Sequence, residues 1–294
     1  MKTFYTIIIL LTLQIGFFSC RRESAESRIA SGNLQFQQLA PVWDEAIPLG
    51  NGMLGALVWQ KDSNLRFSLD RADLWDLRPM DNLSRPEFSY RWVQEQLDKN
   101  NYKAVQELFD VPYDQMPAPS KIPGAALEFE ISRLGKIRSA ELDIVHARCR
   151  VEWENKTRLE TFVQADRQSG WFRFTNIEGD LSPQVIPPAY GSGKDSVGGN
   201  PVAGLDLQRL GYEQGSVITT PEKQVYRQKG WNGFEYEVAV AWKFAANTLT
   251  GVWSISSSFS EGTGGEKAGS LVADLLNRTG FEEAFDAHCA WWKK

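Results

Sequence analysis

The chain has 294 residues, of which 42% are hydrophobic and 23% charged, and its formal net charge is −5. This composition is typical of a globular protein with a sizeable core and excludes a disordered chain. The acidic balance, without a cluster of Lys and Arg, argues against nucleic acid as a partner. The 11 Trp, 8 Tyr and 16 Phe are a heavy aromatic load, which most often fills cores but also occurs in proteins that stack rings on sugars.

The amino terminus has the pattern of an export signal followed by a tether. An apolar run from Phe4 to Phe18 has the length of a signal-peptide core and is short for a membrane span. It ends in FFSC, which resembles a bacterial lipoprotein cleavage site with Cys20 as the lipidated residue, although Phe17 stands where such sites usually carry Leu. An ordinary secretory signal with a chance cysteine is the alternative. We expect a signal peptide over residues 1–19, a tether over 20–33, and an exported protein anchored by lipid in the periplasm or at the outer membrane.

The stretch AIPLGNGMLGALVW, residues 46–59, predicts a tight turn that leads into a buried strand. Pro48 favours an extended entry, and Gly50-Asn51-Gly52 supplies a turn through conformations that other residues resist. Gly55 is expected to let a neighbouring segment approach the following strand closely. Asn51 lies at the tip of this turn and is a candidate contact for substrate.

Many further segments carry strand chemistry, and together they predict a mainly β fold, a large antiparallel β-sandwich. The clearest is FEYEVAVAWKF, Phe234–Phe244, whose large apolar residues recur at a period of two and predict a strand packed on one side. A turn over 246–250 is expected to join it to a strand over 251–259. Weaker strand patterns are LGALVW, LRFSL, ALEFEI, ELDIV, ARCRVEW, LETFVQ, WFRFT and KQVYRQ.

Helical patterns occur in two places. The residues 89–109 predict a short helical insert, with Ser89 as a cap, a possible break at Asn100-Asn101 and an end before Pro112. A second helix is predicted over 270–276, and FEEAFDAHCAWWKK has the pattern of a linker helix. We place the sandwich domain over 34–276 and the linker over 277–294, and the paired tryptophans near its end predict a junction with a partner.

Several familiar chemistries find no support in the sequence. The loop that contains GSGK lacks the first Gly and the final Ser or Thr of a phosphate-binding loop. His146 and His288 are the only histidines and lack ligand spacing, so neither a metal site nor a cofactor is predicted. No nucleophile signature appears. Cys149 and Cys289, which remain beside Cys20, are too few for a disulfide framework, and their pairing is left open.

The most suggestive cluster is SLDRADLWDLRP, residues 68–79, which places acids and a tryptophan directly after a strand. Asp70, Asp73 and Trp75 are candidate substrate contacts in a sugar-facing loop with an aromatic platform. The alternative is a charged turn on a solvated surface, in which Arg71 and Arg78 neutralise the acids.

The segment PVWDEAIPLGNGMLGALVW, followed by LRFSLDRADLW, resembles the opening of the amino-terminal domain of family 95 glycoside hydrolases, the α-L-fucosidase and α-L-galactosidase type. The family pattern runs roughly W-x-EALPLGNGxLGAMV and then LNEDTLW. LDKNNYKAVQEL is similar to the family's helical insert, while ELDIVHARCRVEW and ETFVQADRQSGWFRF resemble its paired strands. The resemblance extends from Pro41 to Trp292, with two departures. The first is the replacement of Asn and Glu by Asp70 and Arg71, which leaves the substrate type open and a closely related branch of sugar hydrolases as the alternative.

This resemblance implies an oligo- or polysaccharide partner, fucosylated or galactosylated, and an inverting hydrolysis of O-glycosyl bonds in the full enzyme. The second departure is that the family's catalytic groups lie in a downstream (α/α)6 barrel, so no catalytic residue is expected in this chain. The first hypothesis is therefore the amino-terminal sandwich of an exported α-L-fucosidase-like enzyme, as a truncated product that is inactive alone. The alternative is a stand-alone carbohydrate-binding or scaffolding module.

Overall fold

The computed structural model describes residues 32–79, 84–115, 119–190, 207–259 and 265–293. The predicted signal peptide, Cys20 and most of the GSGK loop lie outside the described residues.

The strands are short and follow one another closely along the chain. They are β1 Leu34–Phe36, β2 Ile47–Gly50, β3 Leu54–Lys61, β4 Asn64–Arg71, β5 Trp75–Asp76, β6 Ser120–Lys121, β7 Ala125–Glu130, β8 Ile137–Asp143, β9 Arg148–Trp153, β10 Arg158–Val163, β11 Gly170–Thr175, β12 Gln184–Ile186, β13 Ser216–Thr220, β14 Lys223–Lys229, β15 Glu235–Ala245 and β16 Thr248–Ser257. The helices are α1 Tyr90–Asp98, α2 Tyr102–Gln115, α3 Ala268–Arg278 and α4 Phe281–Trp292.

Two antiparallel sheets form the body of the protein, which confirms the predicted sandwich class. In the described part of the chain, the large sheet has nine strands in the order β1-β8-β9-β10-β11-β16-β15-β14-β13. The small sheet has five, in the order β12-β7-β4-β3-β2, and β5 and β6 form a separate pair. Pro48 lies in β2, the edge strand of the small sheet, where a missing amide donor costs no ladder bond.

The large sheet is apolar on both faces. Its inner face packs against the small sheet, and at the centre of this core Phe67, Phe129, Phe172 and Phe174 contact one another with ring centroids 5.0–6.5 Å apart. Its outer face packs against α3 and α4, which bury Phe162, Trp171 and Val252. The protein therefore has three layers, and burial of the two apolar interfaces is the main favourable term in its folding.

The predicted strand Phe234–Phe244 corresponds to β15, but it is covered on both sides. Tyr236, Val238, Val240 and Trp242 lie in the inner core as the alternation predicts. The small residues between them, such as Ala239, lie under the helices. The turn into β16 is also shorter than predicted, because β15 and β16 pair up to Ala245 and Thr248.

The pairing of β11 with β16 contains two glycines that lie beneath aromatic rings. Gly170 is opposite Trp253, and Gly251 is opposite Phe172. A Cβ atom at either glycine would lie 2.1 Å from the opposing ring. Since both rings are fully buried, no side chain larger than hydrogen fits at these positions.

The helical insert confirms the predicted break, because α1 ends at Asp98 and α2 begins at Tyr102. Ser89 caps α1 as expected, and its hydroxyl accepts a bond from the Trp92 amide at 3.3 Å. The predicted end before Pro112 is wrong, since α2 continues to Gln115. A proline removes a single amide donor, and a helix can continue past it for a last turn. None of the helices in the described ranges is long and apolar enough to cross a membrane.

The carboxyl-terminal helix α4, predicted as a linker, is packed against the large sheet. Arg173 pairs with Glu282 and lies 4.1 Å from the centre of the Phe281 ring. The buried His288 donates from Nε2 to the His146 carbonyl oxygen at 2.8 Å. Trp291 and Trp292, predicted as a junction, lie at the end of α4 with 44% and 46% of their surface exposed.

Cys149 and Cys289, the two cysteines in the described ranges, are free thiols.

His288 makes the docking of α4 sensitive to acid. Burial lowers its pKa, against the opposing effect of the bond to the His146 carbonyl. Nδ1 is buried and has no partner in the described residues, so a proton added there would find no acceptor. The unfolded chain, whose histidine has a pKa of about 6.5, then binds more protons than the folded one, and stability is lost as the pH falls below that value.

We expect the free energy of unfolding to fall between pH 7.5 and pH 5.5 by more in the wild type than in His288→Gln, which removes the buried imidazole. Urea unfolding at the two pH values measures this difference. His146→Gln, on the partly exposed histidine, is the matched control. Equal pH dependence in the wild type and His288→Gln would contradict the assignment.

Candidate functional site at one end of the sandwich

The predicted site residues lie together at one end of the sandwich, where β4 ends and β3 begins. The β2–β3 turn is bonded to the segment after β4, because the Ala72 amide donates to the Met53 carbonyl oxygen at 2.8 Å. Trp75 is opposite Lys121 in the β5–β6 pair, and the ammonium of Lys121 is bonded to Asp70. The fold thus gathers three separate segments of sequence at this end.

Asn51 connects the two sheets. Its Oδ1 accepts bonds from the Met53 and Leu54 amides at 3.0 and 2.8 Å. Its Nδ2 donates to the carbonyl oxygens of Gln164 and Arg167, both at 2.9 Å, in the loop between β10 and β11. All the polar atoms of the Asn51 side chain are therefore bonded to backbone, and its geometry is that of a structural link at the edge of the site.

Asp70 and Lys121 form an ion pair that is partly open to solvent. Asp70 Oδ1 accepts from the Lys121 ammonium and from the Arg71 amide. Burial among its neighbours raises the pKa of Asp70, and Lys121 opposes that rise. No described residue bonds to Asp70 Oδ2. Lys121 donates additionally only to the Ile122 carbonyl within the described residues, at 3.2 Å, so one of its three donors is free.

The two other acids of the segment are bound to arginines. Asp73 accepts from Arg71 Nε at 2.7 Å and from the Ser257 hydroxyl at 2.8 Å. Asp76 is fully buried and accepts from Arg78 Nε at 2.9 Å. This arrangement matches the charged-turn interpretation for Asp73 and Asp76, except that Arg71 and Asp76 lie in the protein interior.

Asp76 also anchors a partly buried tyrosine. The Tyr212 hydroxyl donates to Asp76 Oδ2 at 2.6 Å. Burial, and next the bond to Asp76, raise the pKa of Tyr212 to about 12, so the phenol stays protonated at neutral pH. These contacts fix the backbone that carries Trp75.

Trp75 is the exposed aromatic residue of the segment, with 38% of its surface accessible. Its indole Nε1 donates to the Ala72 carbonyl oxygen at 3.1 Å, which holds the ring in place. Trp231 and Phe259 are also exposed, on the neighbouring β14–β15 turn and after β16. Fixed, exposed rings of this kind can stack on the apolar face of a sugar.

Beside Asp70 the outer surface of the small sheet has a hollow of about 330 Å3, which we call the Gly55 hollow. It is lined mainly by apolar groups of Gly55, Leu57, Ile122 and Pro123, and by the Asp70–Lys121 pair. Its volume is at the lower end of the range of about 300–1,000 Å3 for ligand sites. It therefore fits a ligand the size of a single sugar unit.

A second hollow, of about 560 Å3, is more polar and lies near the β14–β15 turn. Its Arg227 and Glu237 pair with each other at 2.7 Å, and none of the predicted site residues lines it. No group of three or more His, Cys, Asp or Glu in the described ranges is placed to hold a metal ion.

Residues 34–177 match the family model described as "Glycosyl hydrolase family 65, N-terminal domain". The match supports a glycosyl hydrolase N-terminal domain. It extends from β1 to just after β11 and contains Asn51, Asp70, Asp73, Trp75 and the Gly55 hollow. Its description names family 65, whereas the sequence motifs resemble family 95, so the coarser assignment is the one that both support. No curated protein sequence matches the chain.

Sequence reasoning did not find Lys121 or the hollow. Lys121 is about 50 residues away from Asp70 in the chain, and only the pairing of β5 with β6 brings it to the site. The expected close approach at Gly55 is wrong: a Cβ atom there would meet only the Leu49 carbonyl oxygen, at 3.7 Å. The one feature of the sequence that could have indicated the hollow was a third glycine, Gly55, inside a predicted strand.

We expect removal of the Lys121 charge to raise the pKa of Asp70 further, because the ammonium is what opposes the effect of burial. Carbon-13 NMR titration of the Asp70 carboxyl in Lys121→Met measures it. Lys61→Met, an exposed lysine at the other end of β3, is the control and is expected to leave the pKa of Asp70 unchanged. An unaltered titration in Lys121→Met would rule out the ion pair.

Proposed function

We propose that this chain is the amino-terminal β-sandwich of an exported glycoside hydrolase of the α-L-fucosidase type and that it binds the glycan substrate at the end that carries Trp75. The family match supports a glycosyl hydrolase N-terminal domain. The order of the motifs along the chain favours the family 95 type, with fucosylated or galactosylated glycans as substrates.

The proposed glycan-binding role depends on one observation. Trp75, exposed and fixed, is in register with Lys121, which together with Asp70 borders the Gly55 hollow. A protein binds a neutral, hydroxylated sugar ring through a flat aromatic ring, a hydrogen-bond donor, an acceptor and an apolar hollow. All four are present here. Asp73 contributes indirectly, because its bonds to Arg71 and Ser257 hold in place the segment that carries Trp75.

The acids at this end do not form a catalytic pair. Glycosidases need two carboxyl groups, one as the acid and one as the base or nucleophile. Among the described residues of the site, Asp73 and Asp76 are bound to arginines, and Asp70 is the one acid that borders the hollow. We therefore propose that this sandwich binds and orients the glycan, while the acid–base chemistry comes from a separate catalytic domain.

Hydrolysis of nitrophenyl α-L-fucoside and α-L-galactoside tests the enzyme assignment. We expect no turnover by this chain and turnover by a version extended into any downstream reading frame, because the proposal places the carboxyl pair in a separate catalytic domain. Turnover by the short chain alone would overturn the division of roles. No turnover by either form would overturn the α-L-fucosidase assignment.

The second candidate is a stand-alone carbohydrate-binding or scaffolding module, favoured by the exposed Trp75 beside a site without a carboxyl pair.

Both candidates predict that Trp75→Ala weakens glycan binding by about tenfold, because a stacked ring is lost. Calorimetry with fucosylated oligosaccharides measures this change. Trp291→Ala, on an exposed tryptophan of α4, is the matched control. Binding without hydrolysis in the extended version favours the module, and no heat with any glycan would exclude both binding roles.

We further propose that the protein is exported and held at a membrane by lipid on Cys20. Labelling of cells with an alkyne fatty acid tests this. We expect the label on the wild-type protein and not on Cys20→Ala, because the lipids are attached to the thiol and the amino group of that cysteine. Cys289→Ala is the control, and it should retain the label. Equal labelling of wild type and Cys20→Ala would contradict the anchor.

A further inference from the structure

The three glycines at the start of β3 differ in what the backbone demands of them. Gly52 has a φ of 87°, which favours glycine. A Cβ atom at Gly50 would lie 3.1 Å from the Leu54 carbonyl oxygen, so that position is sterically tight. Gly55 has neither constraint: its φ is not positive, and its Cβ atom would make one ordinary contact at 3.7 Å.

The glycine at position 55 is therefore not required by the fold. Glycine weakens a strand because it loses more freedom on folding and offers no side chain to pack. What its presence does provide is space, since Gly55 forms part of the lining of the hollow beside Asp70. A branched residue, which β3 would otherwise favour, would project into that space.

The chemistry of the hollow limits its occupant. Leu57, Ile122 and Pro123 make its walls apolar, and the Asp70–Lys121 pair leaves one free acceptor and one free donor at the edge within the described residues. The ion pair has no net charge and so gives no net attraction to a cation or an anion, while a neutral diol can donate to Asp70 and accept from Lys121. The ligand thus needs hydroxyl groups beside a small apolar group.

We propose that the Gly55 hollow is a subsite for the methyl group of one sugar unit, with Asp70 and Lys121 bonding adjacent hydroxyls of the same ring. This inference rests on the proposed carbohydrate-binding function and specifies which part of the sugar is recognised. The methyl can come from a 6-deoxyhexose or from an N-acetyl group. Both sources present the same small apolar group next to hydrogen-bonding atoms.

Two matched pairs of probes distinguish the sources. Methyl α-L-fucoside and methyl α-L-galactoside differ only in a methyl against a hydroxymethyl group, and N-acetylglucosamine and glucose differ in the acetamido group. Titration of the full chain, followed by ligand-observed NMR, gives the dissociation constants and shows which protons contact the protein. We expect about tenfold tighter binding of the methyl-bearing member in one pair, since one apolar carbon in a fitted pocket discriminates by at least that factor.

Gly55→Val tests the location. Its Cβ atom makes only an ordinary contact at 3.7 Å with the Leu49 carbonyl oxygen, and its methyl groups occupy the part of the hollow next to Gly55, where we place the sugar methyl. Thermal unfolding is therefore expected to be unchanged or to shift upward, and the preference for the methyl-bearing sugar is expected to disappear. Lys61→Val, at the other end of β3, is the control and should keep the preference. Gly55→Ala, a smaller filling, is expected to give an intermediate loss.

The outcomes separate this inference from the function on which it rests. A preference within the fucoside pair or the acetamido pair that Gly55→Val abolishes supports the subsite and names its source. Sugar binding without a preference in either pair, or with a preference that Gly55→Val leaves intact, overturns the subsite but leaves carbohydrate binding standing. No binding of any probe also overturns the subsite, and hydrolysis by the extended version then decides the proposed function independently.

Discussion

The structure depends on a large sheet that is apolar on both faces and must be covered on both. The small sheet covers one face and the helices α3 and α4 cover the other, so each central strand contributes to two cores. This explains why β15 carries large residues on one side and alanines on the other. The large rings fill the gap between the sheets, and the small residues allow the helices to approach closely.

The end of the sandwich carries a different constraint, because a segment rich in acids leaves the sheet there. Each acid is given a cation: Lys121 for Asp70, Arg71 for Asp73 and Arg78 for Asp76. Burying an arginine with its carboxylate is tolerable only when both are well bonded. The result is a rigid segment on which Trp75 is presented to solvent, with one partly open ion pair beside it.

The sequence predicted those features that depend on local pattern. The period of two in β15 and the Asn100-Asn101 break between α1 and α2 are local, and both are confirmed. The features that it missed depend on distant partners. The second covered face needs α3 and α4 to fold back onto residues such as Trp171, and Lys121 reaches Asp70 only through tertiary structure. Gly55 was assigned to close packing because sequence alone cannot distinguish a glycine that admits a neighbour from one that leaves a hollow.

The glycines and rings that face each other across β11 and β16 join two parts of the large sheet that are distant in the chain. Residues 34–177 include β11 but not β16, which begins at Thr248, and each strand supplies the ring that the other's glycine accommodates. A slip of one residue would place a ring against a side chain, so the register has a single solution. Contacts between residues so far apart in the chain form more slowly than the local strand pairs on either side of them. In the described part of the chain, the matched residues 34–177 therefore hold five of the nine strands of the large sheet, and the sheet is complete only once the growing chain has reached Ser257.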